Sequence, residues 1–293
     1  MSLPYALSRT VIVPCAMALS AACTYGTGAE EDYAKSFPVS GRADVHIFVS
    51  NAAVQVMTSD DPNVDFHVHY EIDGSDPGPP FVTRQDGNLI ELKENDGSHD
   101  WWNWDTDRVQ GTRVEVRMPK NADLQLQTSN GAIEVSSVNG DIRLRTSNGA
   151  IHAAALKGKL QASSSNGSID AEGVDGACEL STSNGRIHAS GRFDSLTIHS
   201  SNGLVVARAA AGSTVASGWS LGTSNSGIDL SLPSTLKADL DLGTSNGGVQ
   251  LELPVTVQGY QDPSHLHGAL NGGGPQVSVH TSNGHIRVSA VTG

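Results

Sequence analysis

The chain has 293 residues, enough for one large all-β domain or two small ones, and 32 glycines with only 5% aromatic residues suit tightly turned strands better than helical bundles. Eighteen basic against 31 acidic residues give a formal net charge of −13, which argues against nucleic acid as a partner and suits a secreted, non-aggregating surface. Three cysteines, Cys15, Cys23 and Cys178, are too few for a disulfide framework.

Residues 1–22 read as a secretion signal: Arg9 is their only charge, an apolar stretch runs from Val11 to Leu19, and Ser20, Ala21 and Ala22 are small. The run Leu19-Ser20-Ala21-Ala22-Cys23 resembles a bacterial lipobox. That resemblance implies that Cys23 becomes the lipidated first residue of the mature protein, with the membrane as a partner through this lipid. Thr24 is not Asp, which within the same resemblance implies outer-membrane delivery. Residues 23–37 show no periodicity and read as lipid anchor and tether.

Residues 38–72 alternate as strands do, in Val45-His46-Ile47-Phe48-Val49 and Val54-Gln55-Val56-Met57, and Ser50-Asn51-Ala52 looks like a decayed repeat corner. This part is expected to cap a stack. Residues 73–108 leave the pattern as an insertion or hairpin that ends in Trp101, Trp102 and Trp104 set among Asp100, Asp105 and Asp107. Exposed indoles stack on sugar faces or anchor a protein partner; the same rings can instead fold back over an open end of the fold.

From residue 128 onward a Thr/Ser-Ser-Asn corner recurs at Asn130, Asn148, Asn166, Asn184 and Asn202, each 18 residues after the last, and then at Asn225, Asn246 and Asn283. A fixed period of this size means stacked units sharing one long core, so function is to be sought on surfaces and insertions. Three places after each Asn stands a β-branched residue, Ile133, Ile151, Ile169, Ile187, Val205, Ile228, Val249 and Ile286, and polar and apolar positions alternate around it. The preceding half-repeat carries a second apolar row, Leu124, Ile142, Leu160, Cys178, Leu196, Trp219, Leu240 and Val277. Two strands per unit, each turning one apolar row inward, predict an all-β, flattened β-solenoid of 18-residue coils over residues 38–293. Asn-Gly is also a hairpin signal, but an antiparallel meander gives no reason to repeat the same corner every second strand. In a stack, Asn amides can form a ladder and Gly is expected to supply a positive-φ corner. Cys178 stands in an apolar row and reads as a small buried residue, not a catalytic thiol.

With these corners and the run from Asn271 to Val288, the chain resembles the bacterial putative-adhesin family of β-strand repeat proteins over residues 38–293. The resemblance implies surface adhesion and brings no catalytic residues with it. Four places after successive Asn residues stand Glu134, His152, Asp170 and His188, which a stack would bring about 4.8 Å apart on one outward face. Such a strip can bind a metal or respond to pH, but its plainer reading is a charge-compensated ladder. His67 and His69 share a strand face, and His265 and His267 would do so if extended, although Pro263 suggests a loop. The row Thr128, Thr146, Ser164 and Thr182 resembles the Thr arrays of ice-binding folds, but has inward parity. No nucleophile motif, phosphate loop or zinc signature occurs, so neither an enzyme nor a cofactor is expected. The sequence thus favours a non-enzymatic, lipid-anchored envelope protein displaying a repetitive surface to envelope glycans or surface proteins. The alternative is a glycan-binding or polysaccharide-cleaving protein that uses the Trp/Asp-rich insertion.

Overall fold

The computed structural model describes residues 29–72, 81–95, 109–257 and 262–291. Cys23 and the cluster Asp100, Trp101, Trp102, Trp104, Asp105 and Asp107 lie outside the described residues. The described residues are all-β, with no helix.

In chain order the strands are β1 (Ala29–Pro38), β2 (Ala43–Phe48), β3 (Ala53–Ser59), β4 (Asn63–Ile72), β5 (Phe81–Asp86) and β6 (Leu89–Glu94). They continue with β7 (Val109–Pro119), β8 (Ala122–Gln127), β9 (Ile133–Ser136), β10 (Asn139–Arg145), β11 (Ile151–Ala154) and β12 (Lys157–Ser164). Next come the two longest, β13 (Ile169–Thr182) and β14 (Ile187–Ser200), and then β15 (Val205–Ala209), β16 (Trp219–Thr223) and β17 (Ile228–Leu232). The last are β18 (Ala238–Thr244), β19 (Val249–Glu252), β20 (Val255–Val257), β21 (His265–Leu270), β22 (Gln276–Thr281) and β23 (Ile286–Ala290).

Corresponding residues of successive repeats pair side by side and in parallel. Leu124 lies opposite Ile142, Ile142 opposite Leu160, and Leu160 opposite Cys178, while Ile133, Ile151, Ile169 and Ile187 follow one another in a second run. This register is not that of a hairpin meander, in which neighbours run antiparallel. It stacks like on like, so both apolar rows close into a continuous core: Ile133, Ile151, Ile169, Ile187 and Ile142 are at most 1% exposed. Full burial of each such side chain stabilises by about 1.5–3 kcal/mol. Cys178 belongs to this core, and burial pushes its thiol up to about 12, far from a reactive thiolate.

The corners explain the motif. Each of these Asn residues donates its side-chain amide N–H to the side-chain oxygen of the one before it, from Asn130 to Asn51 (2.5 Å) and then from Asn148, Asn166, Asn184, Asn202 and Asn225 each to its predecessor. Asn283 donates to Asn225 and Asn246 to Asn283, which completes the ladder. Asn51, the decayed corner, is therefore a full member. The Thr row turns inward: Thr146 donates to the Gly131 carbonyl (3.2 Å) and accepts from the Gly149 N–H (3.1 Å), and Thr182 repeats this with Gly167 and Gly185. Thr128, Thr146, Ser164 and Thr182 are all buried, so they present no array to ice.

The corner glycines serve a different purpose from the expected one. Gly131, Gly149, Gly167, Gly185, Gly203, Gly247 and Gly284 do not adopt positive φ. An added Cβ at any of them would instead lie 1.6–1.9 Å from a backbone carbonyl oxygen of the adjacent repeat. Close approach of stacked backbones demands glycine there. Positive φ occurs at the opposite corner, at Ser137, Ala155 and Gly173.

Both ends depart from the sequence reading. Residues 29–37, assigned to the tether, belong to β1, which pairs antiparallel with β4 along its whole length and packs Tyr33 and Phe37 against the core. In the span 73–108, read as an insertion or hairpin, β5 and β6 do form an antiparallel hairpin, but β6 also joins the stack by pairing in parallel with β2. Residues 265–270 are a strand, not a loop, and pair antiparallel with β18. The final repeat does not end the stack: β22 lies between β16 and β18, and β23 between β17 and β19.

Candidate functional site

The outward face of the run through β9, β11, β13 and β14 carries the candidate strip. Period-2 alternation points Glu134, His152, Asp170 and His188 away from the core, and the parallel register sets each opposite the next. The row does not stop there. Gln55 on β3 lies opposite Glu134, Glu115 on β7 opposite Gln55, and His67 on β4 opposite Glu115. Seven strands thus contribute His67, Glu115, Gln55, Glu134, His152, Asp170 and His188 to one line, about 29 Å long at the usual strand spacing. Every histidine faces a carboxylate, and the neutral Gln55 separates the two glutamates that would otherwise meet. Opposite charges paired across strands stabilise, and like pairs destabilise, by roughly 0.2–1 kcal/mol.

At its far end the row becomes a close contact: His188 Nδ1 lies 2.8 Å from Asp170 Oδ1. Glu172, two residues after Asp170 and on the same face, sits between Ala154 and Ser190 of the flanking strands. Among the described residues, Asp170, Glu172 and His188 bring three potential metal-ligand atoms within 4.8 Å of one another. Sequence spacing found Asp170 and His188 but missed Glu172, although a carboxylate at i+2 on a strand was the signal for it.

At its other end the row enters a cleft of about 710 Å³, lined by Asp32, His67, His69, Arg113, Glu115 and Arg117 among others. His69 Nδ1 lies 2.9 Å from Asp32 Oδ1 on β1, and this hydrogen bond raises the imidazole pKa above its ordinary value. A smaller groove of about 190 Å³, formed by Gln55, Met57, Glu134 and His152 among others, lies beside the middle of the row. The sequence places His67 and His69 on one strand face and names no partner for them. Pairing through β7 joins His67 to the strip, which the sequence could not reveal, because β4 reaches the stack antiparallel.

The remaining histidine pair lies elsewhere. His265 and His267 are exposed on β21; His267 is opposite Asp241, and His280 lies 3.4 Å from the same carboxylate. These residues do not gather three ligands as the Asp170 group does.

A family model described as Toastrack DUF4097 matches residues 43–289. The chain belongs to this family. Toastrack membership covers every repeat corner from Asn51 to Asn283 and both ends of the charged row. No curated protein matches the chain in sequence. Among solved structures, the chain is similar to a putative lipid binding protein from Parabacteroides distasonis, at 15% identity and TM-score 0.46, covering 90% of this chain and 98% of that one. A putative adhesin from Bacteroides fragilis matches at 9% identity and TM-score 0.34, over 89% and 97% of the two chains. A putative cell adhesion protein from Clostridium sporogenes matches at 10% identity and TM-score 0.29, over 90% and 100%.

Proposed function

We propose that this Toastrack protein is a non-enzymatic component of the cell envelope that works as an adhesin-like display surface. In this reading residues 1–22 direct export, lipidated Cys23 anchors the chain at the outer membrane, and coils of two strands wind into a flattened β-solenoid. The observation that carries it is the outward row from His67 to His188, a fixed line of histidines and carboxylates built on seven hydrogen-bonded strands. A rigid sheet holds such groups at constant spacing, so many weak contacts with a repetitive partner, an envelope glycan or a surface protein, add up without an ordering cost for each.

A second reading, recognition of acidic glycans, draws on the cleft at the start of the row. Arg113 and Arg117 form no ion pair among the described residues, in a chain whose net charge is −13. Arg forks suit the carboxylates and sulfates of acidic sugars.

The experiment is a binding screen of a soluble form, lacking residues 1–23, against envelope fractions and glycans. It is repeated with a Glu134→Ala/His152→Ala/Asp170→Ala variant, an Arg113→Ala/Arg117→Ala variant, and one with Trp101, Trp102 and Trp104 all changed to Ala. Loss of binding in the row variant alone, with its melting temperature unchanged, supports display by the row. Loss in the arginine variant alone selects the cleft. Loss only in the tryptophan variant moves the site to the insertion, and no binding by the parent to any fraction sinks the display reading.

A further inference from the structure

We propose that Asp170, Glu172 and His188 form a binding site for one divalent transition cation of zinc's coordination type. The ligand set is one imidazole and two carboxylates, which neutralise a dication. Zinc takes nitrogen and oxygen ligands at about 2.0–2.2 Å, so two ligands on one ion lie about 3.3 Å apart. Asp170 and His188 are already within 2.8 Å, and all three ligand atoms lie within 4.8 Å, a gap that side-chain rotation closes. The backbone beneath is held from both sides, because β13 pairs in parallel with β11 and with β14 at this level.

Glu172 makes the difference between a ladder and a site. A charge-compensated row needs Asp170 beside His188 and is complete without a second carboxylate. The Glu172 carboxylate takes part in no hydrogen bond or ion pair among the described residues, yet it stands beside the bonded pair. Its strand neighbours, Ala154 and Ser190, are too small to fill the space it must sweep. Gly173, at φ 65°, follows at once, and the β13–β14 register shifts between Glu172 and Val174. Such bulges re-aim the adjoining side chain. His152, opposite Asp170 on the other side, is a candidate fourth ligand; otherwise water or a carboxylate of a bound partner completes the shell. Calcium and magnesium prefer all-oxygen ligands, so the imidazole selects against them.

The test is calorimetric titration of the intact, metal-stripped chain with zinc chloride, and with calcium and magnesium chloride as controls. One zinc per chain is expected, with calcium and magnesium at least about tenfold weaker. Glu172→Gln and His188→Ala are each expected to weaken zinc at least about tenfold, and His199→Ala, on the other outward face, to leave it unchanged. The Glu172 carboxylate bonds nothing among the described residues, so Glu172→Gln should melt like the parent without metal, while zinc should raise the parent's melting temperature more than the variant's. The proposal is overturned by the absence of saturable zinc binding. It is equally overturned if binding survives in both Glu172→Gln and His188→Ala, including the case where a His265→Ala/His280→Ala variant abolishes it.

Discussion

From β8 to β17 the repeats stack in chain order, each pairing with the one 18 residues, or slightly more, further on. At the C-terminal end the order is permuted: the last repeat, β22 and β23, slides between its two predecessors, and β21 covers the exposed side of β18 antiparallel. Yet the corner chemistry is the same in both regions, since Asn283 takes its place in the amide ladder between Asn225 and Asn246. A repeat motif therefore encodes a stackable unit but not the identity of its neighbour. Order follows from chain connectivity and from the need to cover the final edge, which an antiparallel strand does and a further identical repeat would not.

The comparison predicts unequal truncations. Removing residues 275–293 takes an internal pair of strands out of the stack and is expected to abolish cooperative unfolding of the C-terminal region, followed by urea denaturation. Among the described residues, removing residues 1–38 strips the edge strand β1 alone and should leave a cooperative, weaker transition. Equal losses would refute the permuted order.

Next in size is Gly167→Ala in the central stack, expected to cost about 3–5 kcal/mol because the new Cβ would meet the Gly149 carbonyl oxygen at 1.7 Å. Gly87→Ala, in the peripheral β5–β6 hairpin at φ 61° with open space around it, should cost only about 1–2 kcal/mol. Chemical denaturation of the pair tests whether close backbone approach, rather than φ, sets the requirement for glycine.

Smaller still is the ladder itself. Asn166→Ala removes one donated and one accepted side-chain bond, about 1–2 kcal/mol in total, whereas Asn246→Ala, at the end, removes one and should cost about half as much. Identical losses at the two positions would show that the bonds do not act singly.

The smallest effect is electrostatic. His69 is held above its ordinary pKa by the Asp32 hydrogen bond, so its contribution to docking β1 is fully present below the unfolded value near 6.5 and fades as pH rises through the folded value. Both side chains are exposed, so the gain is slight. An NMR titration of the His69 ring should show a raised midpoint in the parent that falls in Asp32→Asn.

Much of this molecule is readable from one chain. The 18-residue spacing of Asn130 to Asn202, the β-branched rows and their period-2 alternation specify an all-β stack with corresponding residues adjacent, because only in-register parallel pairing lets identical corners bond to one another. The same reading places Cys178 in the core and Glu134, His152, Asp170 and His188 on one face. Three things had to come from tertiary structure. The corner glycines look like turn residues in sequence, and only the stacked carbonyl 1.6–1.9 Å from each missing Cβ reveals their role. The joining of His67 and Glu115 to the strip depends on an antiparallel partner, and no repeat spacing can announce one. The insertion of β22 and β23 ahead of β18 and β19 is invisible because equivalent repeats are chemically interchangeable: local sequence determines how a unit pairs, and only the closing of edges in the whole fold determines with which unit it pairs.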